Sequence, residues 1–181
     1  MLQDKLLIFR LKRGSSEALR TIYENYRIYL LKIAVALLHD TNVAEDIVHD
    51  VFLRFLQSVE TFKLNGSLKA YLRICVVNNV RNKIRDEKVK SYIELNQNRP
   101  GASNQSGLDQ WIILNEESTN INNALIQVPF EQREVIVLHL YGEMKFREIA
   151  TLQAVSLKTI QSRYRYGLDK LRSILNSEVE K

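Results

Sequence analysis

Four side chains in the last quarter of the chain, Lys158, Gln161, Ser162 and Arg165, share a spacing suited to contact with a nucleic acid. On a helix of 3.6 residues per turn, positions three, four and seven apart fall on one face. A glutamine amide can bond adenine, an arginine can make a paired contact with guanine, and Lys158 with Thr159 can hold phosphates near a helix N-terminus. These are the side-chain types of base-edge and phosphate reading.

They lie within "FREIATLQAVSLKTIQSRYRYGLDKLR", Phe146 to Arg172. The pattern predicts a helix from about Lys145 to Leu152, a turn through Gln153, Ala154 and Val155, and a second helix capped by Ser156. Ile160, Tyr164, Leu168, Leu171 and Leu175 form the apolar stripe of that second helix. This is a helix-turn-helix layout; a helical hairpin with ordinary surface charge is the competing reading. Ala154 stands where a tight turn often takes glycine, and a left-handed alanine costs on the order of 1 kcal/mol.

The segment before it, "ALIQVPFEQREVIVLHLYGEMKFREIA", places Pro129 at the first turn of a helix and Gly142 at its end, with Val135, Ile136, Leu138 and Leu140 on the buried side. In the N-terminal half a long helix is expected from about Ser16 to Leu38, its stripe made by Leu19, Ile22, Tyr23, Tyr26, Leu30 and Ile33. A second opens at Asn42, with Glu45 three residues on as in a capping box, and runs to about Val59. In "TFKLNGS" the Asn65-Gly66 pair signals a turn, and Ser67 is placed to cap a third helix reaching about Lys88. Leu68, Leu72, Cys75, Val76, Val80 and Ile84 form its apolar row, and Lys69, Arg73, Arg81 and Arg85 recur at multiples of four along another side. That basic row suits phosphates, and it equally suits a solvated face on a core helix.

Apolar residues repeat at three and four throughout, so the fold class is all-α. The 181 residues, 45% of them hydrophobic, suffice for one ordinary core or two small ones. From Leu95 to about Gly107 the chain is rich in Asn, Gln, Ser and Gly and reads as a flexible linker, after which Trp111, Ile112 and Leu114 resume an apolar pattern. The net charge of +5 fits a polyanionic partner without requiring one. A single cysteine gives no internal disulfide, and no run is long and apolar enough to span a bilayer, so a cytoplasmic location without membrane insertion is expected.

Catalysis finds little support. His39, His49 and His139 are far apart, Cys75 sits on an apolar row, and no glycine loop cradles a phosphate. Glu45, Asp46 and Asp50 are ordinary for the wet face of a helix. No cofactor and no metal site is expected, and the chain reads as a binding protein, not an enzyme.

The chain as a whole resembles the extracytoplasmic-function (ECF) group of sigma-70 class RNA polymerase sigma factors. "AEDIVHDVFLRF", Ala44 to Phe55, is similar to the region 2 helix of that family, and "REVIVLHLYGEMKFREIA" with "VSLKTIQSRYRYGLDKLR" is similar to its region 4. The resemblance implies two small helical domains, region 2 over residues 1–90 and region 4 over 116–181, joined by a linker over 91–115. It implies core RNA polymerase as partner, through the β′ clamp helices and the β flap, together with promoter DNA, and it leaves room for an anti-sigma factor, by which members of the family are often held inactive.

By the same resemblance, Asp46, His49, Asp50, Phe52 and Leu53 bind the polymerase. Phe62, Lys63 and Asn65 in the loop, with Asn78, Lys69, Arg73, Arg81 and Arg85 on the helix, engage the melted −10 element. Gln161, Ser162, Arg165 and Tyr166 read the −35 bases, and Lys158, Thr159 and Arg163 hold its phosphates. Tyr71, Tyr166 and Gly167 depart from the commoner pattern, where tryptophan, a basic residue and alanine stand. The alternative is a free-standing helix-turn-helix regulator that binds duplex DNA without polymerase.

Overall fold

A computed structural model describes residues 2–96 and 116–179. Eight helices and no strand occur among the described residues: α1 (Leu2–Lys12), α2 (Ser16–Leu38), α3 (Thr41–Gln57), α4 (Leu68–Asn96), α5 (Glu116–Ile126), α6 (Phe130–Leu140), α7 (Phe146–Gln153) and α8 (Leu157–Val179). They form two compact units, one mainly from each half of the chain. The expected linker core, from Gln97 onward, and Trp111, Ile112 and Leu114 lie outside the described residues.

In the N-terminal unit α2 buries Ile22, Leu30 and Ile33 of its expected stripe, and α4 buries Leu68, Leu72, Val76 and Val80. Each fully buried side chain of this size contributes roughly 1.5–3 kcal/mol. Aromatic contacts tie the helices together: Tyr23 packs on Phe52 with ring centroids 4.9 Å apart, and Phe62 sits 5.2 Å from Phe55 and 4.7 Å from Tyr71. The Tyr26 hydroxyl donates to Asp4 at 2.6 Å, joining α1 to α2. Burial and that bond push the Tyr26 phenol well above its ordinary range, so it keeps the proton it donates.

Helix α1 has no counterpart in the sequence reading because its apolar residues form no single stripe. Leu7, Ile8 and Leu11 are buried while Leu2, Leu6 and Phe9 are exposed. Two other boundaries differ. Helix α3 begins at Thr41, so Asn42 lies in its first turn, and Glu45 accepts from Arg27 at 2.9 Å instead of closing a capping box. Helix α4 continues past Lys88 to Asn96, into the span assigned to the linker. Gly66 has φ of +99°, which fits the predicted turn.

In the C-terminal unit Ala124, Leu125, Val128, Ile136 and Ile174 form the core, with Tyr164, Leu168, Leu171 and Leu175 packed against it. Pro129 stands at the N-cap of α6. The left-handed residue after that helix is Glu143, not Gly142; a Cβ at Gly142 would come within 2.5 Å of the Leu138 carbonyl oxygen. Leu140, expected inside, is 54% exposed. Arg133 is buried and donates to the Ile126 carbonyl at 2.9 Å, closing the C-terminal end of α5, while burial pulls its pKa down.

Candidate nucleic-acid interface

The C-terminal face is built by the turn between α7 and α8. Glu148 reaches back to accept the Lys145 backbone N–H at 2.7 Å, which fixes the start of α7 one residue later than predicted. Ala154 adopts φ 53°, ψ 41°, the left-handed conformation anticipated for it. The Ser156 hydroxyl then accepts the Thr159 N–H at 3.0 Å, capping α8. Beneath the turn, His139 packs 4.4 Å from Phe146 and 5.1 Å from Tyr164, and its Nδ1 lies 2.8 Å from the Met144 carbonyl, so Nδ1 is the protonated nitrogen.

Of the seven residues assigned to the −35 element, Lys158, Gln161, Arg165 and Tyr166 are exposed together near the start of α8, with Ser162 half-buried beside them. The Arg165 guanidinium lies 4.9 Å over the Tyr166 ring. Two behave differently. Thr159 is half-buried, its hydroxyl 2.8 Å from that of Ser156, so it belongs to the cap. Arg163 turns inward and donates to Gln153 Oε1 at 2.6 Å; Gln153 Nε2 donates to Glu134 Oε2 at 2.9 Å, and Glu134 is buried. This chain ties α6, α7 and α8 and sets the angle of the exposed face. Gly167 has its reason here too: a Cβ would stand 2.8 Å from Ile136 Cδ1 and 3.1 Å from Gln132 Cβ, so α8 approaches α6 closely at this point.

In the N-terminal unit the proposed polymerase residues divide. Asp46, His49, Asp50 and Leu53 line one exposed face of α3, whereas Phe52 is buried against Tyr23 and is unavailable to a partner. A 240 Å³ cavity beside this face is lined by Tyr23, Arg27, Glu45, Asp46 and His49 among others.

The basic row of α4 is not one face. Lys69 Nζ lies 4.2 Å over the Tyr29 ring, Arg73 is buried with its guanidinium 3.4 Å from the Tyr29 hydroxyl, Arg81 is half-buried, and Arg85 is exposed 3.7 Å from Asp86. Arg73 is therefore a core group of this unit and not a surface phosphate ligand. In the loop, Phe62 is held in the ring cluster with Phe55 and Tyr71, so Tyr71 completes a structural contact, while Lys63, Asn65 and, on α4, Asn78 are exposed. Lys12 of α1 donates to the Glu60 and Phe62 carbonyls at 3.1 and 2.8 Å, pinning the loop's backbone. Nothing in the sequence pairs Lys12 with residues about 50 positions away, which is why it was missed. Burial pushes the Cys75 thiol up, against opposing effects of Tyr71 and Arg54, so it is a poor nucleophile.

No group of three His, Cys, Asp or Glu that could hold a metal ion, and no helix long and apolar enough to cross a membrane, occurs among the described residues. The described residues thus hold a capped helix-turn-helix with an exposed Lys–Gln–Arg face and, in a separate helical unit, a pinned polar loop, which is the layout of a two-unit protein of the helix-turn-helix class.

Comparison with known proteins gives that class its family. The family model for Sigma-70 region 2 matches residues 22–89, and that for Sigma-70, region 4 matches residues 118–171. The ECF RNA polymerase sigma factor SigW of Bacillus subtilis is 24% identical, covering 94% of this chain and 96% of SigW. The RNA polymerase sigma-H factor of Pseudomonas aeruginosa is 20% identical, with 93% of each chain covered. Among solved structures, CnrH in complex with the cytosolic domain of CnrY superposes with a TM-score of 0.66 at 19% identity, over 97% of this chain and 98% of that one. The sigma factor RpoE of Bartonella quintana, in complex with the anti-sigma factor NepR, gives 0.65 at 21% identity, over 87% of this chain and 98% of that one. The chain belongs to the sigma-70 class and is a sigma factor of the ECF type.

Proposed function

We propose that the two units divide promoter recognition between them while the chain is held on core RNA polymerase. The exposed stripe of α3, Asp46, His49, Asp50 and Leu53, docks on the polymerase clamp; a mixed acidic and apolar face suits a basic partner surface. The pinned loop, through Lys63 and Asn65, with Asn78 and Arg85 of α4, engages the melted −10 strand. Lys158, Gln161, Ser162, Arg165 and Tyr166 enter the major groove of the −35 duplex. Residues 1–90 and 116–181 act as the two domains and 91–115 as the tether.

The observation that carries this reading is the cluster of exposed Lys158, Gln161 and Arg165 at the capped N-terminal end of α8, on a chain that also holds the region 2 unit. The protein makes and breaks no covalent bond, works in the cytoplasm, and is open to restraint by a protein inhibitor, as the Bartonella neighbour's complex with an anti-sigma factor suggests.

Footprinting tests the division of labour. With core polymerase and this protein together, protection is expected at two upstream elements, with reactive unpaired bases only at the downstream one. Equal protection by the protein alone would favour the free-standing regulator, because separate weak modules gain their joint affinity only when held at a fixed separation.

A further inference from the structure

We propose that Gly167 is a positioning residue for base reading by α8: its missing side chain lets α8 close on α6 at one point, and that approach sets where Arg165 stands in the DNA groove. The proposal rests on the reading of α8 as the −35 contact. Gly167 is buried near the middle of α8, in helical register with Ile160, Tyr164, Leu171 and Ile174 on the inward side. A glycine inside a helix is less favourable than an alanine, so helix formation gives no reason for it. Packing does. A Cβ at this position would stand 2.8 Å from Ile136 Cδ1 and 3.1 Å from Gln132 Cβ, whereas carbon atoms rest at roughly 3.5–4.0 Å. Ile136 is 2% exposed and sits in the core with Ala124, Leu125, Val128 and Ile174, so it has no open space to turn into. Gln132 Cβ is fixed by the backbone of α6. With a side chain at position 167, α8 itself must withdraw by roughly half an ångström.

That displacement reaches one reading residue more than the others. Tyr166 directly precedes Gly167, and Arg165 is coupled to it twice: the guanidinium lies 4.9 Å over the Tyr166 ring, and Arg165 Nη2 donates to the Tyr166 hydroxyl at 3.2 Å. Along the helix axis Arg165 stands about 3 Å from Gly167, and Gln161 about 9 Å. The start of α8 is held independently. The Ser156 hydroxyl accepts the Thr159 N–H at 3.0 Å, and Arg163 donates to Gln153 at 2.6 Å. With its start tethered, α8 tilts instead of sliding, so Arg165 moves while Lys158 and Gln161 stay. A paired arginine–guanine contact needs both hydrogen bonds near their best length, and a shift of roughly half an ångström is enough to spoil one of them.

The test uses the full chain on purified bacterial core polymerase, selecting from promoter DNA in which the −35 element is randomised and the rest fixed, at constant salt. Arg165→Ala and Gln161→Ala first mark the base pair each side chain reads, as the position where preference is lost. Gly167→Ala is expected to cut preference about tenfold at the Arg165 pair and to leave the Gln161 pair unchanged. Combined with Arg165→Ala it should add nothing further at that position. The double substitution Gly167→Ala with Ile136→Val removes Cδ1 while keeping the alanine in the helix. It should restore most of the preference, with a residual loss at the same pair because Gln132 Cβ stays in place. Thermal melting shows whether each variant is folded; if Gly167→Ala is not, the double variant decides, a residual loss confined to the Arg165 pair supporting the proposal and a wild-type profile overturning it.

An unchanged profile in folded Gly167→Ala, or a uniform loss of affinity at every position, would overturn the role of Gly167 and leave the −35 reading standing. A loss that Ile136→Val does not diminish would do the same, assigning the effect to a stiffer helix. Wild type selecting no −35 sequence at all would overturn the −35 reading and this role with it.

Discussion

Helices α4 and α8 both carry basic side chains at helical spacing, yet only α8 gathers a set of polar side chains, Lys158, Gln161 and Arg165, on a single exposed surface, with Arg163 turned inward. In α8 the polar residues fall at intervals of three, four and seven within about two and a half turns of a capped end, so they stay on one side. In α4 the basic residues recur every four or eight positions from Lys69 to Arg85. Each four-residue step drifts by about 40° on a 3.6-residue helix, and the row winds by about 160°. Its beginning lies against Tyr29 and in the core, and its end is in solvent. A short cluster defines a face; a long row at constant spacing does not.

The contrast is broken or sharpened most strongly at Arg73. Replacing this buried arginine by alanine leaves a cavity and removes its contact with Tyr29, and should destabilise the N-terminal unit by about 2–4 kcal/mol in thermal or denaturant unfolding. Arg85→Ala, at the exposed end of the same row, should leave unfolding unchanged and lower the salt dependence of promoter binding by about one phosphate equivalent. Equal behaviour of the two would mean that the row acts as one face after all.

Next in size is Arg165→Ala, which should weaken binding to a −35 duplex by about 1–3 kcal/mol and relax base preference at one position, with polymerase binding and melting intact. Arg163→Ala should invert that pattern. By freeing Gln153 it should lower the stability of the C-terminal unit by about 1–2 kcal/mol, with a uniform loss of DNA affinity and no change in base preference. The smallest effect is expected at the turn: Ala154→Gly relieves a left-handed alanine and should stabilise the unit by about 1 kcal/mol in thermal melting, with DNA selectivity unchanged.

What the sequence made legible follows from locality. The extent of α2, the Asn65-Gly66 turn, the Ser156 cap and the strained Ala154 were readable because each depends on residues a few positions apart. The exposed cluster of α8 was readable for the same reason. What stayed hidden depends on distant partners. Lys12 reaches a loop about 50 positions away, Arg163 reaches Gln153 and through it Glu134, and Phe52 is turned inward by Tyr23. Helical spacing put Arg73 in a basic row and the family resemblance put Arg163 on phosphates; burial of the first and the bond of the second to Gln153 tie both to the scaffold. Helix α1 escaped notice because half of its apolar surface faces outward, which a single-stripe criterion reads as no helix at all.

The central claim is that this chain directs RNA polymerase to promoters and does not act on duplex DNA alone. Run-off transcription on a library of upstream fragments, with purified bacterial core polymerase and at stated salt, tests it most directly. Discrete transcripts only when both proteins are present, their start sites lying downstream of two shared sequence elements at fixed spacing, are the predicted result. Tight duplex binding by this protein alone, with no change in the transcripts the core polymerase makes, would contradict it.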